Sequence, residues 1–172
     1  MIYTMRYESP LGEILLAGDG QGLIGLWLQG QNRYAAGLGE TYRTGIFSAY
    51  AKTKEWLDLY FSGGVPDFFP PIHLVGSPFR IDVWRALQKI PYGQTVTYGA
   101  ISKQLAKQRG VERISAQAVG GAVGHNPISI IIPCHRVIGS DGSLTGYAGG
   151  LARKARLLAL EGAIPSSRQS LR

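Results

Sequence analysis

NPISIIIPCHRVIG, residues 126–139, is the most informative segment of this chain of 172 residues. Its β-branched run predicts a buried strand that ends at Cys134, the chain's single cysteine. His135 and Arg136 follow, and positive neighbours lower the pKa of a thiol and so raise the reactive thiolate fraction. Neighbours on an extended segment point to opposite sides, so contact between Cys134 and His135 would need a turn or a bridging water. A buried, inert cysteine is the alternative.

Helical spacing of apolar residues precedes this segment. Ser77 and Pro78 predict a helix start, and the pattern continues to Pro91. A second helix is expected from about Thr97 and a third over 115–124, and two short helices joined by a turn are typical of a helix-turn-helix. The third helix, AQAVGGAVG, is almost entirely small, and each interior glycine costs about 1 kcal/mol relative to alanine. Either tight helix packing or a close approach to a groove would explain this composition.

The first half has a different periodicity. Apolar residues there predict strands, and Asp19-Gly20 predicts a tight turn between two of them. The predicted strands and helix cover residues 2–9, 12–18, 22–29 and 48–61. A proline-rich extended segment at 65–76 predicts a linker. We therefore expect a small α/β domain over residues 1–75 and a second domain over residues 76–172.

The composition, 45% hydrophobic and 17% charged, is that of a folded globular chain and excludes intrinsic disorder or a fibrous repeat. Its longest apolar run is too short to span a bilayer, and MIYTMRYESP has neither the basic nor the apolar part of a secretion signal. One cysteine cannot form an internal disulfide or a thiolate-rich zinc site, which fits a reducing compartment. We therefore expect a cytoplasmic protein without a metal or a membrane contact.

The net positive charge of the chain lies entirely in its second half. Residues 1–75 contain five Lys/Arg against seven Asp/Glu, whereas residues 76–172 contain thirteen against four, a net charge of +9. Part of this charge lies on a predicted amphipathic helix, LARKARLLALEG, which follows a glycine-rich loop. A basic domain is typical of a polyanion-binding protein, nucleic acid above all. A merely solvated basic surface is the alternative.

Three further motifs surround IPCHRVIG in a continuous order. W-x-x-L-x-x-I-P-Y-G-x-x-x-x-Y begins at Trp84, A-V-G-x-A at Ala118 and G-Y-x-G-G at Gly146, before a helix that ends in E-G. Over about residues 77–162 the chain thereby resembles the O6-alkylguanine-DNA alkyltransferases, also called methylated-DNA–protein-cysteine methyltransferases. The resemblance implies a small N-terminal α/β domain, ribonuclease-H-like, and a C-terminal winged helix-turn-helix domain. It also implies a suicide repair protein without a cofactor, which moves the alkyl group of an O6-alkylated guanine irreversibly to cysteine; whether O4-alkylthymine is accepted stays open.

The resemblance implies a role for each residue of the active site. Cys134 would accept the alkyl group, and a soft thiolate suits displacement at an sp³ carbon. His135 would act as the base through a water, and Glu161 would orient that histidine and stabilise its charge. Asn126 would brace the turn around the active-site strand, and Tyr98 would lie near the flipped nucleotide's phosphate and protonate the departing guanine. Taken alone, Glu161 fits an ordinary helix end and Asn126 an Asx turn before proline.

The resemblance implies a second set of residues for binding the extruded base and the duplex. Tyr147 would close the base pocket, while the carbonyls of Cys134 and Val137 and the amide of Ala148 would read the guanine edge. Some relatives have serine at position 148, but the amide donor survives that change. The other residues assigned to DNA or substrate binding are Arg113, Ser115, Gln117, Gly120, Gly121, Arg136 and Ser140.

Gln117 departs from the family, which commonly has there an arginine that fills the gap left by the flipped nucleotide. Glutamine fills and hydrogen-bonds but brings no charge and stacks less well, so base capture is expected to be weaker unless Arg113 compensates. The thin helix would lie in the DNA minor groove, with basic residues on the phosphates. We therefore expect sequence-tolerant, salt-sensitive binding to double-stranded DNA with alkylated guanine, by a protein that is monomeric without DNA.

Three alternatives remain open from the sequence. A non-catalytic binder of alkylated-DNA lesions would share the fold but replace the cysteine, which this chain has. A transcription regulator would carry base-reading polar residues on its recognition helix, where this chain has mostly Ala, Gly and Val. A cysteine hydrolase using Cys134, His135 and Glu161 would turn over on an ester or amide. The tail PSSRQSLR, residues 165–172, is expected to be disordered and is assigned no role.

Overall fold

The computed structural model describes residues 1–165, which fold into two compact units. The first unit comprises residues 1–75 together with 127–131, and the second comprises residues 76–126 and the chain from 132 onward. The expectation for the tail falls outside the described residues, except for Pro165. No helix within the described part is long and apolar enough to cross a membrane.

A four-stranded sheet and one helix make up most of the first unit. The strands β1 (Ile2–Ser9), β2 (Gly12–Gly18), β3 (Leu23–Leu28) and β4 (Tyr42–Thr44) lie in the order β3-β2-β1-β4, and α1 spans Tyr50–Phe61. β2 pairs antiparallel with both β1 and β3, whereas β4 pairs parallel with β1. The three predicted strands and the predicted helix are confirmed. β4 has three exposed residues without alternation, so it carried no sequence signal.

The isoleucine-rich run is buried, as expected, but it is not the predicted strand. The amide of Leu26 donates to Pro127 O at 2.9 Å and its carbonyl accepts from Ser129 N at 3.1 Å, which is a single bridge rather than a ladder. Ile130 then has φ +72°, and Ile131 N donates to Ser129 O at 2.8 Å, which makes a γ-turn. A β-branched residue with positive φ is strained and interrupts an extended segment. A run of apolar residues predicts burial, but it does not predict a γ-turn within the run.

Helices dominate the second unit. Its described elements are α2 (Pro78–Gln88), β5 (Val96–Thr97), α3 (Tyr98–Arg109), α4 (Ala116–Gly124), β6 (Val137–Ile138) and α5 (Leu151–Leu160). Ser77, Thr97 and Ser115 each accept a hydrogen bond from the backbone amide three residues later, so α2, α3 and α4 begin where the sequence predicted. A sheet-containing α/β unit followed by a mainly helical one confirms the predicted fold class.

One turn and two contacts within the second unit position α3, α4 and the segment around Cys134. α3 ends at Gly110, whose φ of +67° allows the sharp turn that leads to α4. The Trp84 indole of α2 donates to the carbonyl of Ala122 at 2.9 Å and ties α4 to α2. β5 and β6 pair in parallel, so the start of α3 lies beside the segment that follows Cys134.

Candidate active site

Cys134 opens a 3₁₀ turn of three residues, and the side chain of Asn126 fixes the entry to this turn. The Asn126 amide donates to Ile132 O at 2.8 Å, and the same oxygen accepts the Cys134 backbone amide at 2.8 Å. Burial raises the pKa of the Cys134 thiol, and a hydrogen bond from the Asn126 side chain offsets part of that rise. The chain therefore turns at the cysteine, and His135 follows it on a helical turn rather than on the opposite side of a strand.

His135 and Glu161 form a fully buried pair, with His135 Nε2 2.6 Å from Glu161 Oε2. Burial raises the pKa of Glu161, but the hydrogen bonds from His135 and Arg136 and the positive charge of Arg136 lower it far below its usual range. Burial lowers the pKa of His135, so its imidazole is neutral at pH 7. Because an ionised carboxylate only accepts hydrogen bonds, Nε2 carries the proton and Nδ1 keeps the basic lone pair. Nδ1 is buried and has no hydrogen-bond partner among residues 1–165.

Arg136 completes a buried cluster, which we call the Arg136–Glu161–His135 cluster. The guanidinium donates from Nε to Glu161 Oε1 at 2.7 Å and from Nη2 to Oε2 at 3.1 Å, while Nη1 donates to the Ile90 carbonyl at 2.7 Å. The Arg136 side chain is 9% exposed. Its expected contact with DNA or substrate does not fit this placement, because a guanidinium with a bidentate carboxylate partner inside the protein is not available to a phosphate.

The geometry corrects the sequence argument for an activated thiolate. Burial raises the pKa of the Cys134 thiol, and the residue is 4% exposed. The adjacent cationic residues do not offset this, since His135 is neutral and Glu161 balances the charge of Arg136. The resting state is therefore a thiol, and its proton must be removed before the sulfur can attack.

Lys154 on α5 is fully buried, and sequence reasoning did not single it out. Its ammonium donates to the carbonyls of Val137 at 2.6 Å, Thr145 at 2.7 Å and Gly146 at 3.2 Å. Burial lowers the pKa of Lys154 to about 8. A signal was present, because two leucines that are buried on the same helix follow it by three and four residues. A lysine within an apolar helical stripe is expected to be buried with its head group paired.

The glycine-rich loop between β6 and α5 carries two of the predicted base-binding residues, Tyr147 and Ala148, and contacts Tyr98. Tyr98, the first residue of α3, donates to the carbonyl of Thr145 at 3.4 Å, and burial raises the pKa of its hydroxyl. The Tyr147 ring meets the His135 ring edge-on, with centroids 6.3 Å apart. Ala148 follows and is half-buried. The Tyr147 ring thus lies against the buried histidine, and the Tyr98 hydroxyl is bound to the same loop.

The outer face of α4 carries the predicted DNA-binding residues. Exposed on it or just before it are Arg113, Ser115, Gln117 and Gly121. Among the described residues, a β-carbon built on Gly121 meets no atom within 4 Å, and one built on Gly120 meets the Tyr98 ring at an ordinary 3.8 Å. Tight packing inside the protein therefore does not require these glycines.

Two further expectations concern Ser140 and metal binding. Ser140 lies exposed near the start of the glycine-rich loop. No group of three or more His, Cys, Asp or Glu side chains in the described part of the chain is arranged to hold a metal ion.

Comparison with known proteins assigns both halves of the chain to one family. The ribonuclease-like domain of 6-O-methylguanine DNA methyltransferase matches residues 1–74, and the DNA binding domain of the same protein matches residues 78–163. A methylated-DNA–protein-cysteine methyltransferase of Mycolicibacterium paratuberculosis is 45% identical over 161 residues, which cover 94% of this chain and 93% of that protein. One of the same name from Methanosarcina barkeri is 46% identical over 161 residues and covers 93% and 97% of the two chains.

Solved structures agree with these matches. The crystal structure of Mycobacterium tuberculosis OGT in complex with DNA superposes with a TM-score of 0.79 at 40% identity, over 99% of both chains. That of Mycobacterium tuberculosis O6-methylguanine methyltransferase superposes with a TM-score of 0.77 at 43% identity, over 95% of this chain and 94% of the other. The resemblance seen in the motifs of residues 77–162 is thereby confirmed and extends to the first half. The chain belongs to the 6-O-methylguanine DNA methyltransferase family.

Proposed function

We propose that this protein repairs DNA by moving the alkyl group of O6-alkylguanine to the sulfur of Cys134, once and irreversibly. The observation that carries the proposal is a buried thiol followed by a neutral His135 whose Nε2 is held by Glu161. These groups are a nucleophile, a base and an orienting group. They occur in a chain of the methyltransferase family, which makes alkyl transfer the reaction that they serve.

The transfer is a displacement at carbon, in which the S–C bond forms as the bond from carbon to O6 breaks. We assign the thiol proton to Nδ1 of His135, reached through a water, because Nδ1 holds the basic lone pair. The departing guanine takes a proton from the Tyr98 hydroxyl, which is protonated at neutral pH because burial raises its pKa. The phenolate and the His135 imidazolium then return to their neutral forms by proton exchange with water. The product is a thioether on Cys134, which no later step of the reaction cleaves, so each molecule acts once.

Arg136 belongs, in this proposal, to the machinery that orients the base rather than to the DNA interface. Its paired bonds keep Glu161 charged and hold both carboxylate oxygens in place. Glu161 can then hold His135 in the tautomer that leaves Nδ1 free to accept a proton. Asn126 fixes the other side of the site, because its amide holds the turn that presents Cys134.

The glycine-rich loop and β6 would receive the extruded base. We propose that Tyr147 covers the base and that the amide of Ala148 and the carbonyls of Cys134 and Val137 read its hydrogen-bonding edge. Support comes from the position of the Tyr147 ring beside His135 and from the half-buried Ala148 next to it. We keep Ser140 as a substrate-side contact from the same loop.

The outer face of α4 would lie in the minor groove of double-stranded DNA. Open space around Gly121 and the absence of crowding at Gly120 within the described structure support this, since the groove is narrow and only small side chains permit a close approach. Ser115 and Arg113 would contact the backbone, and Gln117 would fill the gap left by the flipped nucleotide. Phosphate contacts from a basic domain carry no sequence information, so binding is sequence-tolerant.

The organisation of the whole chain completes the proposal. We assign residues 1–75 to an N-terminal α/β domain and residues 76–172 to the domain that binds DNA and transfers the alkyl group. We propose that the protein acts as a monomer. We place it in the cytoplasm, because a thiol that must remain a nucleophile needs a reducing compartment.

The test of this proposal counts repaired lesions. A duplex with one O6-methylguanine is mixed with the protein at several molar ratios, and the remaining lesion is measured by nucleoside chromatography. We expect one guanine restored for each protein molecule, and none with Cys134→Ser. Repair of many lesions per molecule would contradict the single-use reaction, and retention of the duplex without loss of the lesion would favour a lesion binder.

A further inference from the structure

One buried cation, Lys154, interacts electrostatically with Cys134 and has no part in the reaction proposed above. We propose that Lys154 is a positioning residue for alkyl transfer, whose ammonium fixes the loop over the base pocket and stabilises the Cys134 thiolate. The inference deepens the proposed function and rests on it.

The Lys154 ammonium is tied to the backbone around the proposed base pocket. An ammonium has three N–H donors, and those of Lys154 meet three backbone carbonyls at 2.6, 2.7 and 3.2 Å. Two of these carbonyls, of Thr145 and Gly146, lie directly before Tyr147, and the third is the Val137 carbonyl of β6. One side chain of α5 thereby holds both edges of the proposed base pocket.

The positive charge of the Lys154 ammonium is not balanced by the groups that accept its hydrogen bonds. Its three acceptors are carbonyls, so the hydrogen bonds do not neutralise it, and a buried charge without a counter-charge is costly. Burial accordingly lowers the pKa of Lys154, while the charge of Cys134 raises it, and Lys154 in turn lowers the pKa of the cysteine that burial raises. Each of the two buried groups therefore favours the charged form of the other.

In the resting state, the other titratable groups near Cys134 do not supply an unbalanced positive charge that would favour its thiolate. Tyr98 faces the cysteine from α3 as a neutral phenol, and its interaction with Cys134 raises the pKa of that phenol. His135 is neutral, and the Arg136–Glu161 pair behind it is balanced. Lys154 is thus the cation that favours the thiolate before His135 takes the proton, and its charge adds to that of the imidazolium afterwards.

The experiment follows the reaction of Cys134 with iodoacetamide as a function of pH, since the chain has a single cysteine. Lys154→Met and Lys154→Gln remove the charge, Lys154→Arg keeps it, and Arg156→Met removes an exposed charge from the same helix as the matched control. Methyl transfer from an O6-methylguanine duplex is measured in parallel for each protein.

We expect Lys154→Met and Lys154→Gln to move the pH–rate profile to higher pH. At pH 7 the reaction should be about three- to tenfold slower, because a smaller thiolate fraction outweighs the greater nucleophilicity of a more basic thiolate. The plateau rate at high pH should be equal to or above that of the wild type. Lys154→Arg should keep a profile close to the wild type, and Arg156→Met should be indistinguishable from it.

A loss of rate by the same factor at every pH, with the midpoint unmoved, would overturn the proposal and leave Lys154 a structural residue. An unchanged profile in both neutral variants would also overturn it. If Lys154→Met does not fold, Lys154→Gln gives the same readout, since its amide can still donate to a carbonyl. Failure of the wild type to accept a methyl group would count against the proposed function instead, and the iodoacetamide profile would still test Lys154.

Discussion

Glu161→Gln leaves the Arg136 guanidinium buried without the carboxylate that accepts two of its bonds. Arg136 is 9% exposed and Glu161 is unexposed, so water cannot take over. A buried pair that loses one partner costs about 3–5 kcal/mol of unfolding free energy. For a chain of this size each kcal/mol corresponds to about 2–4 °C in Tm, and a fall of about 6–20 °C is expected. Arg136→Met leaves the Glu161 carboxylate buried without its cation and should lower the unfolding free energy by a similar amount.

The double variant Arg136→Met, Glu161→Gln separates stability from chemistry. It removes both charges, so its loss of unfolding free energy should be about 1–3 kcal/mol smaller than the sum of the two single losses. Its repair rate should nevertheless stay as slow as that of Glu161→Gln. Glutamine can donate to Nε2 of His135 and so favour the tautomer with the proton on Nδ1, and a wrong tautomer of this kind costs up to about 10⁴-fold in rate.

Urea unfolding and single-turnover repair of an O6-methylguanine duplex measure the two quantities. The Arg109–Asp82 ion pair, with side chains 35% and 27% exposed, is the matched control. Arg109→Met should cost about 1 kcal/mol or less, because an exposed pair is screened by water. The reasoning fails if the losses for Arg136 and Glu161 add within about 0.5 kcal/mol, or if the double variant repairs as fast as the wild type.

Three further predictions concern the DNA interface and the titration of the site. Gln117→Arg should speed repair of an O6-methylguanine duplex several-fold without changing the reaction with free O6-benzylguanine, since the free base needs no extrusion; equal rates on the duplex would contradict the account of this position. Gly121→Leu should stabilise the fold by about 0.5–1 kcal/mol, because leucine is the better helix former, yet weaken duplex binding at least about tenfold in an anisotropy titration if the groove must come close. The unfolding free energy should fall as the pH drops below 6.5, because the unfolded chain binds a proton on His135 that the buried imidazole, with its lowered pKa, does not. The limiting slope is about 1.4 kcal/mol per pH unit, and a slope that survives in His135→Asn would refute this source.

Local sequence signals predicted the helices of the second unit well. Ser77, Thr97 and Ser115 are N-caps, and such signals act within one turn of the chain, so they can be read without knowledge of the fold. The apolar run before Cys134 shows the limit of this approach. Its burial was predicted, whereas the γ-turn at Ile130 depends on positive φ, which no apolar pattern encodes.

The residues of the site that lie within recognisable motifs could be predicted from the sequence. Cys134 and His135 are adjacent in a specific motif, and the family resemblance brought Glu161 to them from 26 residues away. The motifs did not predict the ion pair between Arg136 and Glu161 or the burial of Lys154. Both depend on long-range packing that places α5 against the turn at the cysteine. A positive neighbour in sequence predicts a larger thiolate fraction, but charge acts through space, and Glu161 balances the charge of Arg136.

Mass spectrometry of the intact protein and its peptides, after mixing with duplex DNA that carries O6-methylguanine, tests the central claim most directly. We predict one added methyl group, located on the peptide that contains Cys134 and absent from Cys134→Ala. An unmodified Cys134 after the lesion has disappeared, or a methyl group on another residue, would contradict the account.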